Sequence, residues 1–187
     1  MKTLIIDTSH SLLAVGIAQE GKLIASKIET LNKQQSEYLL PFVATILNEQ
    51  NLKLKDIDQV VVCDGPGSYT GMRIGITFVK SIAMVLPKLN VFTVDTLLSL
   101  SGQRDVFAFI DARSGRTFGA YCNHGQVIDE KVYLVEDLGQ INKNMVGDVH
   151  LLGQTTDYGN VLENILAVES SWQAVENVDV LVPRYVK

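Results

Sequence analysis

Cysteine is almost missing from this chain. There are two, Cys63 and Cys122, far apart and without CxxC spacing. That excludes a disulfide scaffold and a thiolate zinc site, and it fits a reducing, cytoplasmic setting. Long apolar runs are missing as well. No stretch approaches the ~20 residues that a bilayer crossing needs. Behind Met1-Lys2 the apolar run Leu4-Ile5-Ile6 stops at Asp7, short of the roughly 7–15 residues of a secretory core. No membrane association is expected. Histidine is scarce: His10, His124 and His150 lie far apart, without the i,i+4 pairing of a helical metal site. Positive charge is in short supply, with 16 Lys and Arg against 21 Asp and Glu. Residues 1–103 carry nine of each sign; residues 104–187 carry seven basic and twelve acidic, so the whole net charge of −5 sits in the second half. A chain without clustered cations is a poor polyanion binder, so any contact with nucleic acid would run through another subunit. What remains is ample for a core: 187 residues, 47% apolar and 20% charged, suit one ordinary domain or two small ones.

The opening reads as a three-stranded antiparallel meander: Lys2–Asp7, Leu12–Ala18 and Lys22–Ile28, with polar turns at Thr8–Ser11 and Glu20-Gly21. A helix follows to about Gln50, with Asn32 and Gln35 as a capping-box variant at its start. Asp58–Cys63 is a buried-type strand, and the glycine-rich loop Asp64–Gly71 leads into a helix over Thr70–Leu86 that Pro87 ends. Val91–Val94 is another strand, and Asp95-Thr96 caps a short helix over Leu97–Ser101. Near Gly102–Arg104 the pattern restarts. Val106–Asp111 ends in Asp as the first strand does, Thr117–Tyr121 and Val127–Val132 read as its partners, and the rest is a short helix at Glu136–Ile141, a strand at Val149–Leu152 and a helix at Tyr158–Val168. The echo suggests two lobes on one plan, residues 1–103 and a smaller 104–187.

The loop Gly65-Pro66-Gly67-Ser68-Tyr69-Thr70-Gly71-Met72-Arg73-Ile74-Gly75 carries the most information. Its amides and the helix N-terminus could cradle an anion; equally, it could be a close-packed βα connection. It is not a P-loop, because Met72-Arg73 replaces the Lys-Ser/Thr pair, and it is not GxGxxG. Ser68 is not in a GxSxG elbow. Cys63, at the end of an apolar strand, reads as an inert core thiol, and Asp111 with Arg113 as a local ion pair.

Taken together, LIIDTS (Leu4–Ser9), QSEYLLP (Gln35–Pro41), GPGSYTGMRIG (Gly65–Gly75), TVDTLLSL (Thr93–Leu100) and FIDARSGRTFGAY (Phe109–Tyr121) resemble the TsaB (YeaZ) family, with VPRYVK (Val182–Lys187) a looser match. The resemblance implies an α/β fold of two ribonuclease-H-like lobes, as in actin-like ATPases and sugar kinases, with the second lobe reduced. The meander-then-crossover order agrees with that independently. The family's role would be a noncatalytic, cytoplasmic subunit in making threonylcarbamoyladenosine on tRNA. It would bind and activate the catalytic subunit TsaD together with the ATPase TsaE, pair with itself when alone, and touch tRNA only indirectly. No cofactor, metal or catalytic residue is implied. Asp7, Thr8, Ser9 and Asp111 occupy the two turns that hold nucleotide in actin-like enzymes, so they are candidates for a vestigial site. The first turn lacks the glycine that admits phosphate. The family often has His at the position of Gln35, and the exchange points to a cap or a surface residue. The rival reading is an actin-like ATPase or kinase-like enzyme with its own nucleotide site.

The second long helix argues for a partner on its own pattern. At about 100° per residue, Ile74, Phe78, Ile82 and Val85 share one sector, and Met72, Ile76, Val79, Ala83 and Leu86 the adjoining one. This apolar arc is about twice the ~100° stripe of a surface helix. With the first helix beside it, a four-helix interface to a homologous subunit is expected. Its residues would be Leu39, Leu40, Val43, Leu47, Met72, Arg73, Ile76, Val79, Lys80 and Ala83, with Val79 facing outward or, in the alternative, Phe78.

Overall fold

The structure is a computed structural model that describes residues 1–31, 33–156 and 158–186. Three strands open it: β1 (Lys2–Asp7), β2 (Leu12–Gln19) and β3 (Lys22–Thr30). They pair antiparallel in chain order, Ile5 opposite Gly16 and Val15 opposite Lys27. Alternate residues of a strand face opposite sides, so Leu4 and Ile6 enter one core and Ile5 enters another. Then come α1 (Gln35–Glu49), β4 (Gln59–Gly65), α2 (Tyr69–Val85) and β5 (Asn90–Asp95). The helical crossovers let β4 lie parallel to β1, and β5 parallel to β4. The Asp95 carboxylate caps the short α3 (Thr96–Ser101), accepting the Leu97 N–H at 2.7 Å.

The second sheet repeats this order. β6 (Val106–Arg113), β7 (Arg116–Asn123) and β8 (Gln126–Leu134) form a meander, and β9 (Met145–Gly147) runs parallel to β6. Its order β8-β7-β6-β9 matches β3-β2-β1-β4 of the first sheet. These are two mixed sheets on the ribonuclease-H plan, the second reduced. The chain then forms α4 (Val161–Ala167) and returns to the first sheet, where β10 (Gln173–Ala174) pairs antiparallel with β5. Helices α1 and α2 cover one face of the first sheet; α3 and α4 are packed between the sheets with Ile5, Val61, Ala108 and Ala120. The far face of the second sheet buries Phe107 and Phe109 against Leu138 and Val149.

Several expected elements differ. Residues 135–140 are a 3-10 segment rather than an α-helix, and so is Val149–Leu152, read above as a strand. A short apolar run does not distinguish strand from turn. Here the ladder to β6 ends as Asp148 N–H bonds the Phe109 carbonyl, and left-handed Gly153 closes the turn. The last helix starts at its Asn160 cap rather than at Tyr158, whose side chain is used elsewhere. The Asn32 cap lies outside the described residues, as does Lys187 of the final motif; Gln34 stands at the cap position of α1 without a side-chain bond.

Candidate functional site

The turn after β1 is sealed. Asp7, Thr8 and Ser9 are fully buried, and His10 nearly so. One Asp7 oxygen accepts the Ser9 N–H at 2.9 Å and the Ser9 hydroxyl at 2.5 Å. The other accepts the Ser99 hydroxyl at 2.8 Å and faces His10 Nε2 at 3.2 Å. Burial would raise the Asp7 pKa, but the His10 charge and the His10 and Ser9 hydrogen bonds outweigh it and hold the carboxyl below the usual range. Burial would lower the His10 pKa; Asp7 and Asp148 raise it instead. This is a buried ion pair with its remaining lone pairs occupied.

The glycine-rich loop closes on that turn. Ser68 N–H donates to the Ser9 carbonyl at 2.7 Å, and the Thr8 hydroxyl donates to the Gly71 carbonyl at 2.7 Å. A Cβ on Gly67 would stand 2.2 Å from the Ser9 oxygen, and one on Gly71 would stand 2.0 Å from the Thr8 oxygen. Of the two readings left open by the sequence, the close-packed connection is the one observed: the backbone of residues 8–9 fills the space beside Gly67 and Gly71. Gln35 is neither a surface residue nor a cap. It is buried, and its amide donates to the His10 carbonyl at 3.2 Å, tying α1 to the same turn. Cys63 is a buried thiol pushed up by burial.

Asp111 is half-buried near the end of β6 in the second sheet, and the Arg113 guanidinium lies 3.8 Å away. The structure does not bring it into contact with Asp7. The gap is bridged by residues the sequence reading missed. Tyr158 stacks on His10 at 4.9 Å, shares a hydrogen bond with Ser11 at 3.0 Å, and donates its hydroxyl to Asp148. Asp148 in turn accepts the Asp111 N–H at 2.7 Å. Burial and the Asp148 bond raise the Tyr158 pKa. Tyr158 and Asp148 carry no local motif; only the fold places them beside the first turn. Arg184 was likewise missed as a contact, although its motif was noted. It reaches Asp95, Glu130 and the Gly65 carbonyl.

The residues expected at a partner surface divide. Leu39, Val43, Leu47, Met72, Ile76 and Val79 are buried within the chain itself. Val79, expected outward, is fully buried, because the sheet beneath is broad enough to take the whole inner sector of α2. Leu40 is 63% exposed, Arg73 is exposed, and Lys80 and Ala83 are half-covered. Between α1 and α2 runs an open groove of about 400 Å³, lined by Leu39, Leu40, Ile74 and Phe78 with Arg73 and Thr77. Phe78 and Ile74, absent from the expected interface residues, belong to this outer face. Among the described residues no helix is long and apolar enough to cross a membrane.

A family model described as "TsaD: tRNA N6-adenosine threonylcarbamoyltransferase" matches residues 22–150. The chain is 32% identical over 179 residues to the tRNA threonylcarbamoyladenosine biosynthesis protein TsaB of Bacillus subtilis, covering 90% of this chain and 78% of that one. It is 33% identical over 126 residues to the protein of the same name from Escherichia coli, covering 64% and 54%. Among solved structures, YeaZ from Pseudomonas aeruginosa superposes with a TM-score of 0.76 at 22% identity over 99% of both chains. A second structure, described as similar to peptidase YeaZ from that organism, gives 0.77 at 20% identity, covering 100% and 99%.

Proposed function

The chain belongs to the TsaD family and, within it, to the TsaB proteins of tRNA threonylcarbamoyladenosine biosynthesis, and on that premise we propose that it is a noncatalytic cytoplasmic subunit that docks and activates a TsaD-type catalytic subunit, together with a TsaE-type ATPase. The observation that carries this reading is the uncovered apolar strip between α1 and α2. Leu40 projects at 63% exposure beside half-buried Ile74 and Phe78, and the groove they line stays open among the described residues. A matching pair of helices on a homologous lobe would complete a four-helix contact, and a second copy of this chain would do so when the partner is absent. Arg73 and Lys80 flank the strip and would set its polar edge. Binding one TsaD conformation better than another is sufficient to activate it. Contact with tRNA would then pass through TsaD.

The turn geometry supports the noncatalytic part. Asp7, Thr8 and Ser9 spend their side-chain polar atoms on each other, on His10 and Ser99 and on the glycine loop, and Asp111 accepts the Arg113 N–H within β6. The lobes of the proposal are residues 1–103 and 104–187, with the last part of the second strapped across the first sheet through β10.

Co-expression with the TsaD-type subunit of the same organism tests the reading. The two should co-purify, and Leu40→Glu should weaken pairing at least about tenfold while urea unfolding stays unchanged. Full binding by both Leu40→Glu and Phe78→Glu would reject the surface. Nucleotide affinity of the isolated chain that falls in Asp7→Ala and Asp111→Ala would favour an enzyme instead.

A further inference from the structure

Arg184 sits where residues 182–186 pass the ends of β4 and β5. Its guanidinium is shared between the carboxylates of Asp95 and Glu130, donates to the Gly65 carbonyl at 2.8 Å, and has its Nε 4.0 Å from Asp64 Oδ1. Asp64 and Asp95 stand at the ends of the neighbouring parallel strands β4 and β5, whereas Glu130 comes from β8 in the other sheet. One side chain therefore joins both sheets. A planar fork with five donors suits such a ring of acceptors, and an ammonium does not span it.

Acid outnumbers base here, three carboxylates to one guanidinium. Burial, with repulsion from Glu130 and Asp64, raises Asp95 to about 7 against the pull of Arg184, and burial likewise raises Asp64. A second Glu130 oxygen, Oε1, is buried without a hydrogen-bond partner among the described residues. Without a cation this pocket would hold unbalanced charge.

The segment that delivers the arginine is otherwise lightly held. Residues 182–186 have no regular structure, and among the described residues their one backbone hydrogen bond to the rest of the chain is Arg184 N–H to the Asp64 carbonyl at 2.8 Å. Pro183 is buried, but Val182 and Tyr185 are exposed, Tyr185 stacking on Tyr69 of α2 at 5.5 Å. Segments with few backbone bonds open locally at low cost.

We propose that Asp64, Asp95, Glu130 and the Gly65 carbonyl form a guanidinium-binding pocket between the lobes, filled by Arg184 of a detachable latch, residues 182–186, which couples the two sheets while seated. The groups facing the guanidinium are Asp64 from β4, Asp95 from β5 and Glu130 from β8; Arg73 of α2 reaches only the neighbouring Tyr69–Tyr185 stack.

Two measurements on the full chain test this. The first is hydrogen exchange at the Arg184 amide, with trypsin cleavage after Arg184 scored against cleavage after Arg116. Arg184 should exchange faster than the amides of β4, and Glu130→Gln should speed both exchange and cleavage on the order of tenfold. Exchange no faster than β4, or rates unmoved by Glu130→Gln, would overturn the latch. The second is chemical rescue of Arg184→Ala. Millimolar methylguanidinium should raise its Tm relative to the unsubstituted chain, an equal concentration of potassium should not, and adding Glu130→Gln should abolish the effect. Equal responses to methylguanidinium and potassium would overturn the pocket.

Discussion

Replacing Gly71 with alanine probes the closure of the glycine loop directly. Gly71 lies in the first turn of α2, and its backbone conformation suits any residue. Helix propensity alone would make alanine more stable by about 1 kcal/mol. The structure reverses that expectation. The new Cβ would stand 2.0 Å from the Thr8 carbonyl oxygen and 3.2 Å from its carbon, while ordinary contact begins near 3.4 Å, so the buried turn must retreat by about 1.4 Å. Overpacking of this kind costs about 1–3 kcal/mol. The retreat also stretches the Ser68–Ser9 and Thr8–Gly71 hydrogen bonds, each 2.7 Å long and each contributing about 1 kcal/mol net. Against the helix gain, a loss of about 2–4 kcal/mol remains. At about 2–4 °C per kcal/mol for a chain of this length, Tm should fall by about 4–16 °C, with the urea midpoint lowered at constant m. Gly139→Ala is the control, since nothing lies within 4 Å of its Cβ position; it should stay within about 0.5 kcal/mol of the parent. A Gly71→Ala chain as stable as the parent would refute the claim that backbone fills the loop.

The Asp7–His10 pair makes stability pH-dependent from both sides. Asp7, lowered from 3.8, contributes stability above that value and loses it as pH falls through the folded pKa; His10, raised from 6.5, contributes below 6.5 and loses it as pH rises through its folded pKa. The stability gap between the parent and His10→Gln, read by urea unfolding, should therefore be widest between about pH 4 and 6.5 and narrow above it. Tyr158→Phe keeps the stack on His10 but deletes the bonds to Asp148 and Ser11; denaturation should show a loss of about 1–3 kcal/mol. Val79→Glu places an unpaired carboxylate in the α1–α2 core and should cost about 4 kcal/mol or more, visible as unfolding by circular dichroism. A well-folded Val79→Glu chain would show that α2 is rotated from its described position.

Much of the scaffold follows from local chemistry. Strands rich in Ile, Val and Leu, separated by polar turns, lead to the opening meander, and an Asp followed by a short apolar run leads to the cap of α3. The restart at Val106 shows that a second sheet copies the first. The chemistry of the sites is less local. Tyr158 and Asp148 reach the first turn because α3 and α4 hold the sheets face to face, and no spacing in the chain records that. The short run Val149–Leu152 took the wrong form in the sequence reading because its conformation depends on where the ladder to β6 stops.

The breadth of the apolar arc on α2 was plain from residue order, for it needs only the helical period. Which half of the arc meets its own sheet depends on where the sheet and α1 lie, so the burial of Val79 and the exposure of Leu40 beside half-buried Phe78 belong to packing. The three glycines of the loop likewise announce a close approach without naming what approaches. Long-range contact supplies the answer: the carbonyls of Ser9 and Thr8, some sixty residues away in sequence, occupy the room at Gly67 and Gly71, and the Arg184 carbonyl occupies the room at Gly65.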